Sequence, residues 1–104
     1  MSISANDFII ILNQHPNILD SHHELATYLD VFFQEDKASQ YALLSAYDLD
    51  IVKKYQNRSI NTLQQNNIIN DLKNYYGISE ENARNAVIIW YDVLGRFIKN
   101  DCNK

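Results

Sequence analysis

Three histidines, one cysteine and several acidic pairs are the side chains of this sequence that could hold a metal or catalyse a reaction. His22 and His23 are adjacent, and neighbouring helix positions point about 100° apart, so they cannot grip one ion as an i, i+4 pair does. His15 precedes a proline, and no third ligand lies at a spacing typical of a metal site. We therefore predict no metal site and interpret the histidines as exposed side chains near helix ends.

The remaining reactive groups do not form a catalytic pattern. Cys102 lies in a polar segment beside Asp101, whose negative charge disfavours the reactive thiolate. Two widely separated glycines exclude a glycine-rich phosphate loop. The acidic pairs Glu80–Glu81 and Asp48/Asp50 are typical of helix first turns and helix caps. The prediction is a protein that is not an enzyme, with no catalytic residue and no cofactor.

The seven tyrosines are the unusual excess of this composition. Tyr75 and Tyr91 lie one step off the apolar stripes of their predicted helices, and tyrosine is enriched at protein interfaces. With Arg84 they are the predicted partner contacts. The alternative is that the tyrosines are half-buried at the domain edge and Arg84 is an ordinary charge near a helix end.

Charge and composition limit the class of partner. Thirteen acidic and nine basic residues give a net charge of −4. Nucleic-acid and anionic-membrane binding both use clustered positive charge, which is missing here. An unknown protein partner is therefore expected, and a homodimer is left open. One cysteine, no long apolar run and no evident signal peptide predict a bacterial cytoplasmic protein.

The scarcity of glycine and proline indicates the elements that must position these residues. Two glycines and one proline in 104 residues favour long helices joined by few loops. The length suits one domain over residues 1–104. We expect its core to span roughly 4–99 and residues 100–104 to form a flexible tail.

The first two helices have clear start signals. The first is predicted from Ser4 to Gln14, ending before Pro16 because the residue preceding proline is pushed out of the α region. The second opens with Ser21 and Glu24 in capping-box spacing. Its predicted apolar stripe comprises Leu25, Tyr28, Leu29 and Phe32.

Three further helices are predicted in the middle of the chain. Asp36 can cap a third helix, whose stripe is expected to be Tyr41, Leu44 and Tyr47 with Leu43 beside it. A short fourth helix is predicted over Asp50 to Tyr55, with Ile51 buried. A fifth begins near Ser59 and stops at Gly77, which can adopt the left-handed conformation after a helix end.

The last helix has the clearest pattern. Ser79 is its predicted cap, and a stripe runs from Ala83 to Phe97 with Trp90 supplying the largest block of burial. Gly95 either ends this helix early or allows close packing. The core residues predicted for the whole chain are Leu25, Leu29, Phe32, Leu44, Leu72, Ala83, Val87, Trp90 and Leu94.

The C-terminal helix also resembles a known pattern. The segment from Leu72 through Tyr76-Gly77-Ile78-Ser79-Glu80-Glu81, then Ala83, Ala86-Val87, Trp90 and Leu94-Gly95, resembles a small all-α bacterial domain of unknown function. The resemblance covers roughly residues 22 to 96. It implies an accessory or interaction domain, often appended to signalling proteins, with no catalytic residues to carry over.

These observations predict an all-α fold, a compact irregular or orthogonal bundle of five to six helices with the Trp90 helix at its centre. The predicted function is a non-enzymatic protein-interaction or adaptor domain. The alternative is a small acidic inhibitor or immunity-type protein that blocks a basic toxin or nuclease.

Overall fold

Six α-helices and one short 3-10 helix account for most of the residues that the structure describes, which are 3–54 and 60–95 in a computed structural model. No β-strand occurs in these ranges. The prediction of an all-α bundle of five to six helices is confirmed. The helices are α1 (Ala5–Gln14), the 3-10 helix (Pro16–Asp20), α2 (His22–Phe32), α3 (Lys37–Asp48), α4 (Ile51–Lys54), α5 (Thr62–Tyr76) and α6 (Glu80–Val93).

Four of the helices begin where the sequence places a cap. Ser4, Ser21, Asp36 and Ser79 each precede a helix, and the side-chain oxygen of each accepts a hydrogen bond from the backbone N–H three residues later. Such a bond satisfies one of the amides that a helix leaves without a partner in its first turn.

The start of α5 differs from its prediction. The helix begins at Thr62, and Asn61 and Gln64 form a reciprocal capping box in which each side chain accepts from the other's backbone N–H. Ser59, the predicted start, lies outside the described residues, as do Tyr55, Phe97 and the predicted tail. Asn61 is as good a cap as serine, and it is followed by glutamine at the position that closes the box.

The two glycines have different roles. Gly77 ends α5 with φ 66° and ψ 25°, in the left-handed conformation that was predicted. Gly95 follows α6, which ends at Val93. Among the described residues, no atom outside the local backbone lies within 4 Å of the position that a Cβ at Gly95 would occupy, so no described neighbour requires a glycine there.

A 3-10 helix follows α1, although the sequence pattern did not indicate one. Pro16 is its first residue, a position where the missing proline N–H does no harm. The segment buries Ile18, which is 1% exposed. Five residues are too few to show a helical stripe, so the periodicity could not reveal this element.

The core is built around α6, which packs against α1, α3 and α5. Trp90 is fully buried, and its Nε1–H donates to the backbone carbonyl of Leu43 in α3 at 3.1 Å. Phe8 of α1 meets the Trp90 ring edge-on, with centroids 5.3 Å apart. The indole thus joins three helices and has its polar group satisfied.

Most of the predicted core residues are buried, but two are not. Leu44 is only partly buried at the edge of the core. Phe32 is 44% exposed, so its assignment to the core is wrong. It is the last residue of α2, where the chain turns away towards α3, so its stripe position no longer faces a neighbouring helix. The buried ones are Leu25, Leu29, Leu72, Ala83, Val87, Trp90 and Leu94.

The buried face of α3 is rotated from the predicted one. Leu43 is fully buried, flanked by Ala42 and Ala46, whereas Tyr41 is exposed and Tyr47 is partly buried. The helix contacts α2, α5 and α6, and small alanines allow these close approaches. The tyrosine rings then lie towards the rim, where their hydroxyls remain near polar partners.

Candidate functional site

Arg84, a predicted partner contact, is part of a small ion cluster at the start of α6. Its Nε donates to Glu80 at 3.0 Å, one helical turn earlier, and Lys73 of α5 donates to the other Glu80 oxygen at 2.9 Å. These two hydrogen bonds, from Lys73 first and then Arg84, lower the pKa of the Glu80 carboxyl below its usual 4.5. The cluster links the end of α5 to the start of α6, so the Arg84 side chain already has a role within the fold.

The predicted tyrosine contacts lie on two different helices. Arg84, Ile88 and Tyr91 follow one another at i, i+4 and i+7 on the exposed face of α6. Tyr75 is 79% exposed on α5, two positions and therefore about 200° around the helix from Lys73. Since Lys73 faces α6, Tyr75 points away from it. The structure brings Arg84 and Tyr91 onto one face and leaves Tyr75 apart from them.

Two other tyrosines use their hydroxyls to hold helices together. Tyr47 donates to the backbone carbonyl of Leu19 in the 3-10 helix at 2.8 Å, and Tyr41 donates to that of Tyr76 at 3.2 Å. Burial, and then nearby carboxylates, raise the pKa of Tyr47 above its usual 10. The carboxylates are those of Asp20, Asp48 and Asp50. Part of the tyrosine excess is thus structural.

Two of the three histidines, His15 and His22, make side-chain contacts that are separate from each other. The His15 ring is partly buried and stacks on Tyr28, with centroids 4.6 Å apart. His22 Nδ1 lies 2.8 Å from an Asp48 carboxylate oxygen. Among residues 3–54 and 60–95, no three His, Cys, Asp or Glu side chains are grouped as a metal site would need.

A groove between α1 and the end of α2 is a concave feature of the described surface. Its volume is about 640 Å³. Ile10 and Val31 are 54% and 58% exposed there, and Phe32 lies beside them. We call this feature the α1–α2 groove. Its lining comprises Asp7, Ile10, Ile11, Gln14 and residues 31–36.

One wall of the α1–α2 groove is a regular helical stripe. Asp7, Ile10, Ile11 and Gln14 stand at i, i+3, i+4 and i+7, so they line one side of α1 over about 10 Å. Phe8 and Leu12, on the other side of α1, are fully buried, and Ile11 is 8% exposed at the boundary between the two sides. The helix is therefore also apolar outside its core face, where the described chain leaves Ile10 more than half exposed.

Aromatic packing supports the second wall. Phe32 lies parallel to Tyr28, with centroids 6.3 Å apart and 9° between the rings, and His15 also contacts it at 5.8 Å. The backbone carbonyl of the next residue, Phe33, accepts from the buried Gln40 side chain at 2.7 Å. These contacts hold the end of α2 and the turn after it in place.

The charged groups among the described lining residues are all carboxylates. Asp7 belongs to the α1 wall, and Glu35 and Asp36 belong to the wall formed by residues 31–36. Asp36 also caps α3, and the nearby Lys37 ammonium is paired with Asp30. The lining thus combines apolar area with negative charge, which suits apolar and cationic side chains of a ligand.

Sequence reasoning missed this site, although one signal pointed to it. Residues 8–12 are all large and apolar, and one helix face cannot contain five consecutive positions. Ile10 had to face away from the core that Phe8 and Leu12 enter. What stands opposite Ile10 depends on where α2 ends relative to α1, which no local pattern shows.

Comparison with known proteins adds no assignment. No protein-family model, no curated protein and no solved structure matches this chain. The resemblance of the C-terminal helix to a bacterial domain of unknown function therefore stays a prediction. No helix in the described ranges has the combined length and apolarity that crossing a membrane requires.

Proposed function

We propose that this chain is a non-enzymatic protein-interaction domain that receives a partner protein in the α1–α2 groove. The supporting observation is the exposure of Ile10, Val31 and Phe32 in one concave surface. The part of an apolar side chain that stays in water adds no hydrophobic free energy to folding. A partner that covers this part gains the hydrophobic free energy of its burial. Concavity adds shape complementarity to that gain.

The groove is a better candidate than the predicted face of α6. Arg84 is already paired with Glu80, and Tyr75 lies on another helix. A partner on α6 would have to compete for the guanidinium or bind a convex helix side. Tyr91 and Ile88 then serve as comparison positions, because both are exposed on α6 and neither belongs to its ion cluster.

The wider setting is part of the same proposal. A bacterial cytoplasmic adaptor fits a chain whose only cysteine, Cys102, can form no disulfide within it. The resemblance of residues 22 to 96 to domains appended to signalling proteins favours an adaptor role. A homodimer through the groove is the competing arrangement.

Site-specific photo-crosslinking tests the proposal. In cells that express the chain, a benzophenone amino acid replaces Val31 in the groove. In the matched control it replaces Leu63, an exposed residue of α5. We expect a discrete adduct from position 31 that is absent from position 63. The recovered partner is then purified and titrated with the chain, and a one-to-one complex should form.

Binding of that purified partner must depend on the groove. Ile10→Gln removes the apolar contact and keeps good helix propensity, so we expect affinity to fall about tenfold. Ile88→Gln makes the same change on α6 and should leave affinity unchanged. Equal effects of the two substitutions, or an adduct that is only a second copy of the chain, would contradict the proposal.

An acidic inhibitor of a basic toxin or nuclease is the second candidate function. The carboxylates of Asp7 and Glu35 in the lining of the groove favour it. An inhibitor of this kind draws its affinity from charge, so Glu35→Gln would weaken binding more than Ile10→Gln does, and salt would weaken it strongly. The opposite order of the two effects favours the adaptor.

A further inference from the structure

We infer that the partner segment received by the α1–α2 groove is a basic amphipathic helix of about two turns. This inference rests on the proposed function and names the chemistry of the occupant. It follows from the charge at the rim, the state of the backbone in the walls, and the spacing of the exposed apolar side chains.

Charge complementarity determines the sign of the partner. Among the described residues, the lining contains three carboxylates, on Asp7, Glu35 and Asp36, and no basic side chain. Lys37, which follows Asp36 in the chain, is paired with Asp30. An acidic segment would meet like charges on both walls of the groove, and nucleic acid or an anionic lipid surface would meet them too. Lysine or arginine on both flanks of an apolar stripe removes that repulsion.

The backbone of the walls determines the conformation of the partner. The α1 wall is the side of a helix, whose amides and carbonyls are bonded within the helix. In the other wall, the Phe33 carbonyl already accepts from the Gln40 side chain and from the Asp36 N–H. An extended peptide would lose water from its own backbone and find few replacements here. A helix satisfies its backbone internally, so it loses nothing on entering.

The apolar positions determine the length of the partner segment. Ile10 and the nearly buried Ile11 line one wall of the groove, and the exposed Val31 and Phe32 line the other. The α1 stripe from Asp7 to Gln14 is about 10 Å long, which is about two helical turns. Apolar side chains at i, i+3 or i+4, and i+7 of a partner helix span the same distance. Phe32, held by Tyr28 and His15, is the pre-formed part of this surface.

Titration of the full chain with a synthetic peptide tests the inference. The probe is a fluorescent, end-capped peptide of about 18 residues, long enough to form a helix. Leucine forms one stripe on it and lysine flanks the stripe. Two control peptides replace lysine by glutamate, or keep the composition and scramble the stripe. We expect saturable one-to-one binding of the first peptide and binding of the controls at least about tenfold weaker.

Variants of the chain then locate the binding. Ile10→Gln and Val31→Gln should each weaken the basic helix about tenfold, while Ile88→Gln and Leu63→Gln should not. Helical circular dichroism of the peptide should rise on binding. Because the apolar stripe supplies most of the contact, raising salt should weaken binding only in part.

Several results would overturn the inference. They are no saturable binding, equal binding of the acidic or scrambled peptide, equal loss in the α5 and α6 control variants, or a dimer of the chain that Ile10→Gln disrupts. The crosslinked partner distinguishes this failure from failure of the proposed function. A partner that binds the groove through an acidic or extended segment refutes the basic helix and leaves the interaction function standing.

Discussion

Glu80 is the residue at which two helices and two cations meet. Its carboxylate accepts from Lys73 of α5 and from Arg84 one turn later in α6, and it lies in the first turn of α6, where the helix dipole favours an acid. All three groups are partly exposed, so the stabilisation is modest and sensitive to salt.

The lowered pKa of Glu80 predicts a pH dependence of stability. A carboxyl group whose pKa is lower in the folded state stabilises the protein above the unfolded value, 4.5, and loses that contribution as pH falls through the folded value. Urea unfolding at neutral and at acidic pH should therefore show a smaller loss of stability in Glu80→Gln than in the wild type. Glu81→Gln, which leaves the cluster intact, should lose as much as the wild type.

Gly77 has a conformation that other residues avoid. We expect Gly77→Ala to lower the free energy of unfolding by about 1 kcal/mol, because a left-handed backbone crowds a Cβ atom. Apart from the local backbone, no atom of the described residues would lie within 4 Å of the added methyl group, so we expect the effect to come from the backbone. Gly95→Ala is the control, since its Cβ would likewise meet no described neighbour and its φ is not in the left-handed region. Equal destabilisation by the two changes in urea titrations would contradict this explanation.

At the scale of elements, α6 is the helix on which the others assemble. It contacts α1, α3 and α5, and Trp90 reaches both Phe8 and the Leu43 carbonyl. The alanines at positions 83 and 86 are buried at its N-terminal half, where they permit close helix approach.

Truncation of Trp90 should therefore be severe. We expect Trp90→Ala to lower the free energy of unfolding by about 3–5 kcal/mol, through lost burial and the cavity left behind. Tyr91→Ala removes the next aromatic ring, which is exposed, and should lower it by less than about 1 kcal/mol. Chemical unfolding followed by circular dichroism measures both, and a small effect of Trp90→Ala would mean that the core is not centred on α6.

Helix α1 has a different design, with apolar residues on two faces. One face enters the core through Phe8, Leu12 and the nearly buried Ile11, and the other exposes Ile10 in the groove. A helix that served only the fold would place polar residues on its second face. The exposed Ile10 on this second face is one reason for proposing that the α1–α2 groove receives a partner.

For the whole molecule, the radius of gyration is 12.6 Å, close to the value of about 13 Å typical of a folded chain of about 100 residues. The buried apolar side chains form one continuous cluster around Trp90. The α1–α2 groove lies at the edge of this cluster, so it can be altered without opening the core.

That separation predicts that function and stability can be changed independently. The double substitution Ile10→Gln with Val31→Gln should change the free energy of unfolding by no more than about 0.5 kcal/mol, because both side chains are more than half exposed. Thermal unfolding measures this effect, and a large loss of stability would show that the groove belongs to the core.

The helix boundaries of this protein are largely determined by the sequence alone. A cap acts on backbone groups within three or four positions, so Ser4, Ser21, Asp36 and Ser79 could be recognised locally, and so could the stop at Gly77. The strong stripe of α6 likewise identified Trp90 as a core residue. The short 3-10 helix was not predicted because five residues carry too little periodicity. The Asn61 cap was not predicted because Ser59, two residues earlier, is also a good cap residue.

Only the tertiary structure decided which apolar side chains remain uncovered. Phe32 and Leu29 belong to one predicted stripe, yet only Leu29 is buried, because α2 ends where its neighbours no longer reach. The buried face of α3 and the ion pair between Lys73 and Glu80 likewise depend on how the helices pack against one another. Burial depends on what a distant segment places against a residue, and the α1–α2 groove exists because the described chain leaves Ile10 and Val31 more than half exposed.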